Sequence, residues 1–210
     1  MFWDKVARFY DFFEKAYNGK ANEALCREMA ALISAEDEVL ECACGTGMLT
    51  VHVAPKCKSI VATDFSRKML ERAAQKCSQY GNTRFEFADI MHLDYADGQF
   101  DKVIAANVIH LLDEPHIALA ELDRVCKPGG QIIIPTYINR EKNKGKTSWI
   151  ATVIGKAGAD FKRQFTFDSY RQFFAEAGYE NVSYKMIDGR MPCAVAMLES
   201  TPSTKGLKKK

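Results

Sequence analysis

Three carboxylates, Glu41, Asp64 and Asp89, each stand at the end of a short apolar run, and a glycine-bearing turn follows the first of them. The run Val39-Leu-Glu-Cys-Ala-Cys-Gly-Thr-Gly47 reads as a buried strand that ends in an acidic residue and breaks into a turn. Glycine there lets the backbone approach a ligand closely, and the next helix presents its N-terminal amides at the same place. Asp64 follows Gly47 at close to the ~20-residue spacing at which a carboxylate accepts the two hydroxyls of a ribose. A dinucleotide turn requires G-x-G-x-x-G, but from Gly45 the chain reads Gly45-Thr-Gly47-Met-Leu-Thr50, so the third glycine is missing. The pattern points to a nucleoside-like ligand and away from a dinucleotide.

These residues need a scaffold that brings three strand ends to one rim. Apolar stretches at 39–42, 60–63, 84–88, 100–106 and 131–134 read as strands, with further strands at 182–187 and 194–198 that could form a hairpin. Helical patterns lie between them. The stretch 48–54 is helix-compatible, and Ser66 is a natural N-cap for a helix reaching Gln79. Asp113 and Pro115 look like the cap and first-turn proline of a helix reaching Cys126, and Asp168 looks like the cap of one that Gly178 ends. Lys127-Pro-Gly-Gly130 is a turn. Ahead of the first strand, residues 2–17 are aromatic-rich at helical spacing, and a second helical stripe carries Leu25, Met29, Leu32 and Ile33. Strands alternating with helices imply a doubly wound α/β fold, a mostly parallel sheet covered on both faces. Ligands bind such sheets beyond the carboxyl ends of the strands, at the switch in strand order. Glu41, Asp64 and Asp89 would line that crevice.

With 210 residues, 47% of them hydrophobic, the chain can bury a full core, and one domain is expected. Its 29 basic and 27 acidic residues give a net charge of +2, too even to imply a nucleic-acid partner. The seven cysteines are odd in number and scattered, no apolar run reaches the ~20 residues of a membrane span, and Met1-Phe-Trp-Asp-Lys-Val-Ala-Arg has no signal-peptide apolar stretch. A cytoplasmic protein with reduced thiols is the expectation. Cys42 and Cys44 form a C-x-C without a second pair, so no metal site is expected.

The ordered motifs resemble those of class I S-adenosylmethionine-dependent methyltransferases, near the ubiquinone- and menaquinone-biosynthesis branch. Glu41-Cys-Ala-Cys-Gly-Thr-Gly47 resembles the family's first motif, acidic-x-G-x-G-x-G, with Ala43 in place of its first glycine. Val61-Ala-Thr-Asp64-Phe-Ser66 resembles the second, Phe87-Ala-Asp89-Ile90 the third, and the segment from Phe100 to Leu112 the fourth; Leu122-Asp-Arg-Val-Cys-Lys-Pro-Gly-Gly130 matches the stretch before the fifth strand. The resemblance covers roughly residues 1–198. It implies a Rossmann-like seven-stranded sheet with an antiparallel last strand, and S-adenosylmethionine as cofactor with S-adenosylhomocysteine as product. Glu41 and the backbone of Cys42, Ala43, Gly45, Thr46 and Gly47 would hold its methionine part, and Asp64 its ribose. Phe65 and Met69 would flank the adenine, with Ala88, Asp89 and Ile90 at its amino edge, and Asn107 would lie beside the sulfonium. Tyr10 would close over the cofactor from the N-terminal side. Ala43 costs little if its φ is negative.

A methyl acceptor is harder to read. His110 follows the fourth strand, where the family's substrate-facing residues lie, and an unperturbed imidazole could take a proton near neutral pH; Tyr137, just past the fifth strand, is the second candidate catalytic residue. The expected organisation is a methyltransferase domain over 1–199 with an N-terminal helical cap at 1–35, a substrate cap at 138–165, and a disordered basic tail at 200–210. The substrate cap carries Arg140, Lys142, Lys144, Lys146, Lys156, Lys162 and Arg163 against Glu141 and Asp160, with Trp149, Ile150, Val153 and Ile154 as an apolar stripe. That composition leaves open a small metabolite, a quinone-like or phospholipid acceptor with peripheral membrane contact, and a thiol or metalloid. A cofactor-binding protein without catalysis and an NAD-dependent oxidoreductase are the alternatives from other classes, the latter disfavoured by Glu41 and Thr50.

Overall fold

The computed structural model describes residues 2–140 and 162–200; of Phe2 and residues 5–17 it is the helical backbone that is described. In chain order the elements are α1 (Phe2–Ala31), β1 (Glu38–Cys42), α2 (Thr50–Val53), β2 (Ser59–Asp64), α3 (Arg67–Lys76), β3 (Thr83–Phe87), β4 (Phe100–Ala105), α4 (Pro115–Val125), β5 (Cys126–Tyr137), α5 (Phe167–Glu176), β6 (Val182–Ile187) and β7 (Cys193–Glu199).

The strands form one seven-stranded sheet in the order β3-β2-β1-β4-β5-β7-β6. Pairs from β3 through β5 are parallel, and β7 runs antiparallel to both β5 and β6. The expected fold class therefore holds, including the antiparallel last strand. The order reverses between β1 and β4, which places the crevice at the ends of those two strands.

Central strands are apolar throughout because both faces are covered. Alternate residues Val39, Ile60, Ile104, Ile133 and Val195 pack under α1 and α2, against Leu25, Met29 and Val53. Their neighbours Leu40, Val61, Val103, Ile132, Ile134 and Ala196 face the other way, into Leu119 and Leu122 of α4 and Tyr170 and Phe174 of α5. A smaller cluster joins Cys44 and Ala62 to Leu70 and Ala73 of α3.

Several element ends differ from the sequence reading. The N-terminal ends agree with it: the two helical stretches are present inside α1 and meet at a kink at the non-helical Asn18. The N-cap position of α4 is Glu114, not Asp113; the Asp113 carboxylate pairs with Lys162 Nζ at 2.9 Å instead of capping. Likewise α5 is capped by Thr166 in a reciprocal box with Ser169, and Asp168 sits in the first turn, where its charge suits the helix dipole. β5 runs on past Pro135 to Tyr137: the carbonyl of Pro135 faces the gap where β4 has ended and accepts from Asn107, so the missing N–H breaks no ladder bond. Ser200, expected in the tail, is buried at 2% exposure and exchanges backbone hydrogen bonds with Gly129 and Gly130. Most of the substrate cap (141–161) and the tail beyond Ser200 lie outside the described residues. No described helix is long and apolar enough to cross a membrane.

Candidate functional site

The turn after β1 is built on three left-handed residues, Ala43 (φ 54°), Gly45 (φ 56°) and Gly47 (φ 79°). Ala43 therefore departs from the negative φ that would have made its substitution cheap. Cys44 N–H extends the ladder to the Thr63 carbonyl at 2.9 Å, and Gly47 N–H closes the turn onto the Cys44 carbonyl at 3.0 Å. A Cβ on Gly47 would meet Ala73 at 3.1 Å, so glycine is required there for the turn to lie against α3. A Cβ on Gly45 would meet nothing within 4 Å. That open side is where a ligand can reach the backbone. Thr46 is buried, and its hydroxyl accepts from Lys76 Nζ at 3.3 Å.

Asp64 ends β2 half-buried beside this turn. Its Oδ2 accepts from Gly45 N–H at 2.9 Å and its Oδ1 from Ser66 N–H at 2.8 Å. Burial raises its carboxyl above the ordinary range, and the amides of Ser66 and Gly45 oppose that. A carboxylate has about four lone-pair sites, so two amide bonds leave capacity for a vicinal diol. Next to it Phe65 is 49% exposed and Phe87 45% exposed, their rings 5.1 Å apart, with the Arg67 guanidinium 4.8 Å over Phe87. These aromatic faces can stack a base. Met69, the other expected base contact, is buried at 2% exposure.

Glu41 lies deeper. It is 1% exposed, and Oε2 accepts from the Thr50 hydroxyl at 2.6 Å. Burial pushes its carboxyl up to about 8, with Asp64 adding to the rise. Thr50 entered the sequence reading only as the absent third glycine; its role as the partner of Glu41 is set by the turn geometry, which spacing alone does not reveal. Burial pushes the Cys42 thiol up to about 12 and holds Cys44 well above the thiol range, so both stay protonated and unreactive. No group of metal-ligating side chains occurs among the described residues.

The third acid, Asp89, is half-buried and accepts from Met91 N–H at 2.9 Å through Oδ1. Its neighbour Ala88 donates to the Asp64 carbonyl at 3.3 Å, which ties the ends of β2 and β3 together. Ile90 is part of the larger core, 8% exposed.

Across the switch, Asn107 takes φ 52°. Its N–H donates to Pro135 O at 2.8 Å and its Oδ1 accepts from Tyr137 N–H at 3.0 Å, so its side chain joins the ends of β4 and β5. Tyr137 donates its hydroxyl to Asn22 Oδ1 of α1. His110 lies in the short turn Ile109–Leu111, where Arg163 donates to the carbonyls of Ile109 and Leu112 at 3.3 and 2.6 Å. Burial and the nearby Arg163 push its imidazole down to about 4, below the range of an unperturbed imidazole. Tyr10 belongs to α1, and its side chain lies outside the described ones.

Residues 40–134 match the model of a methyltransferase domain. The chain is 33% identical over 128 residues to phosphatidylethanolamine N-methyltransferase from Cereibacter sphaeroides, covering 59% of this chain and 63% of that protein. It is 37% identical over 103 residues to the ubiquinone/menaquinone biosynthesis C-methyltransferase of Bdellovibrio bacteriovorus, covering 48% and 44%. The chain thus spans about half to two thirds of the length of these relatives. Its fold is similar to that of the N-methyltransferase NodS from Bradyrhizobium japonicum solved with S-adenosylhomocysteine (TM-score 0.64, 16% identity, 85% of each chain). Taken with the motif order and the sheet, these matches support a class I S-adenosylmethionine-dependent methyltransferase.

Proposed function

We propose that this protein binds S-adenosylmethionine in the crevice between the ends of β1 and β4 and transfers its methyl group to a small-molecule acceptor. The observation that carries the reading is the Asp64 carboxylate, bonded to the Gly45 amide of an open left-handed turn and flanked by exposed Phe65. Asp64 receives the ribose diol, Phe65 the adenine face, and the turn from Cys42 to Gly47 the methionine part, with Glu41 behind it. Asp89 and Ala88 meet the adenine edge, and Asn107 borders the methyl end. When bound, the cofactor would supply a methyl carbon already activated on a sulfonium; the acceptor lone pair would attack that carbon in line as its bond to sulfur breaks, with sulfur keeping the pair in S-adenosylhomocysteine.

The protein's own share is proximity, orientation and exclusion of water. His110 stays neutral at working pH and is a weak base, and the Tyr137 hydroxyl is spent on Asn22. In this arrangement neither residue takes the proton, so a proton carried by the acceptor would pass to solvent. The test is release of S-adenosylhomocysteine with a panel of acceptors. Asp64→Ala should weaken S-adenosylmethionine binding by about one to two orders of magnitude, since it removes charge-assisted bonds worth about 1.5–3 kcal/mol each. Unchanged affinity by calorimetry would remove Asp64 from the site, and binding without any product would leave a cofactor-binding protein.

A lipid-like acceptor is the second reading, favoured by the substrates in the names of the two relatives and by the basic segment 138–165. Phosphatidylethanolamine vesicles and a demethylated quinone in the acceptor panel test it directly.

A further inference from the structure

The first half of α1 is fixed at both ends across the carboxyl rim of the sheet. At its far end Asn18 leaves helical geometry (φ −134°, ψ 24°). Its side-chain amide donates to the Met191 carbonyl at 3.0 Å and accepts from the Met191 N–H at 3.4 Å. Met191 lies in the turn between β6 and β7, on the same rim as Tyr137, whose hydroxyl meets Asn22. At the near end Asp4 Oδ1 accepts from the Ser66 hydroxyl at 2.6 Å, and the Lys68 amide also donates to this carboxylate.

The lengths agree with a strap laid over the rim. A helix from Asp4 to Asn18 rises about 21 Å at ~1.5 Å per residue. Crossing from β2 over β1, β4 and β5 to β7 takes four strand spacings, about 19 Å at ~4.8 Å each. The strap therefore passes over the switch between β1 and β4.

Ser66 is the junction between strap and site. Its N–H donates to Asp64 Oδ1 at 2.8 Å, its hydroxyl donates to Asp4, and the same oxygen accepts from Met69 N–H at 3.3 Å to cap α3. Asp64 Oδ2 accepts from Gly45 N–H at 2.9 Å. One chain of hydrogen bonds thus runs from Asp4 through Ser66 and Asp64 to the Gly45 turn. The two carboxylates repel each other, and the positive N-terminal end of α3 between them offsets that repulsion.

We propose that Asp4 is a positioning residue of the cofactor site: it latches the α1 strap over the switch point and, through Ser66, holds Asp64 in the orientation that receives the ribose. This rests on Asp64 as the ribose acceptor. Without the Asp4 carboxylate the Ser66 hydroxyl loses this acceptor, and the tie between the strap and the start of α3 is weakened.

The experiment compares wild type, Asp4→Ala and Asp4→Asn by stopped-flow dissociation of S-adenosylhomocysteine and by amide hydrogen exchange. In Asp4→Ala, dissociation should quicken about tenfold and exchange should rise across residues 3–17, with β1 to β5 as protected as in wild type. Asp4→Asn, whose amide oxygen still accepts from Ser66, should recover most of the slow dissociation. Faster exchange in the strap with unchanged dissociation would reduce Asp4 to a helix anchor and overturn the proposal, as would no change in either. A wild-type protein that binds no S-adenosylhomocysteine would instead overturn the cofactor reading on which the proposal stands.

Discussion

Ala43 carries a side chain in the left-handed region (φ 54°), a conformation that costs an L-residue about 1–2 kcal/mol. Glycine would remove that strain but add about 0.4–1 kcal/mol of unfolded-state entropy. Ala43→Gly is therefore expected to stabilise the protein by up to about 1.6 kcal/mol in urea unfolding; a loss of stability would show that the methyl group packs usefully. Glu41 supplies a pH effect. Its carboxyl is raised from 4.5 to about 8 by burial, so between those values the folded state holds a proton that the unfolded state has lost. Stability then falls as pH rises, by at most about 1.4 kcal/mol per unit, and levels off above about 8. His110, lowered from 6.5 to about 4, has the opposite slope, but only below about pH 6.5. Unfolding measured at pH 6.5, 7.2 and 8 should show the decline in wild type and not in Glu41→Gln. The carboxylates at the strand ends were legible because residue type and spacing encode them. The left-handed Ala43, the Thr50 partner and the depressed His110 were not, because they depend on how the turn closes and on what buries each group.

At the scale of elements, the junction of β4 and β5 shows what a glycine pair is for. Phe100 faces Cys126, yet Lys102 faces Gln131, so Lys127-Pro-Gly-Gly130 is extra chain looped out of register. Around Gly130 a Cβ would meet Asp101 O, Cys126 Sγ and Lys127 O, all at 2.8 Å. Two of those atoms are backbone and cannot rotate away. Gly130→Ala should cost about 2 kcal/mol or more, against about 1 kcal/mol for Gly129→Ala, which has a positive φ (77°) but open space. Equal, small losses in the two variants would mean that the bulge simply shifts. Strand positions and the final hairpin were readable from apolar runs and turn residues. Helix starts were less so. Asp113 and Asp168 are good cap types, but Lys162 draws the first away and Thr166 with Ser169 captures the second's position. Both outcomes are set by tertiary neighbours that a local window does not contain.

The whole molecule turns these local features into a ligand preference. Because β1 and β4 are neighbours while the chain continues outward from each, helices diverge at their ends and leave the crevice that Asp64 and the open turn border. The same arrangement accepts dinucleotides in other doubly wound folds, where a third glycine lets the helix pack close to the strand. Here that position is Thr50, fully buried, with its hydroxyl on Glu41. Replacing a glycine contact by this pair puts a side chain where the third glycine would let the helix approach a diphosphate, and sets beneath the turn a carboxyl whose charged form a cationic amino acid group would favour. A ligand that binds only the native state at about 100 times its Kd stabilises it by about 2.7 kcal/mol. For a domain of this size, that corresponds to roughly 5–10 °C in melting temperature. S-adenosylmethionine and S-adenosylhomocysteine should each give a shift of this order, and NAD at the same concentration should give none. An equal shift with NAD would mean that the turn admits a diphosphate despite Thr50, and the assignment of the crevice would have to be revised.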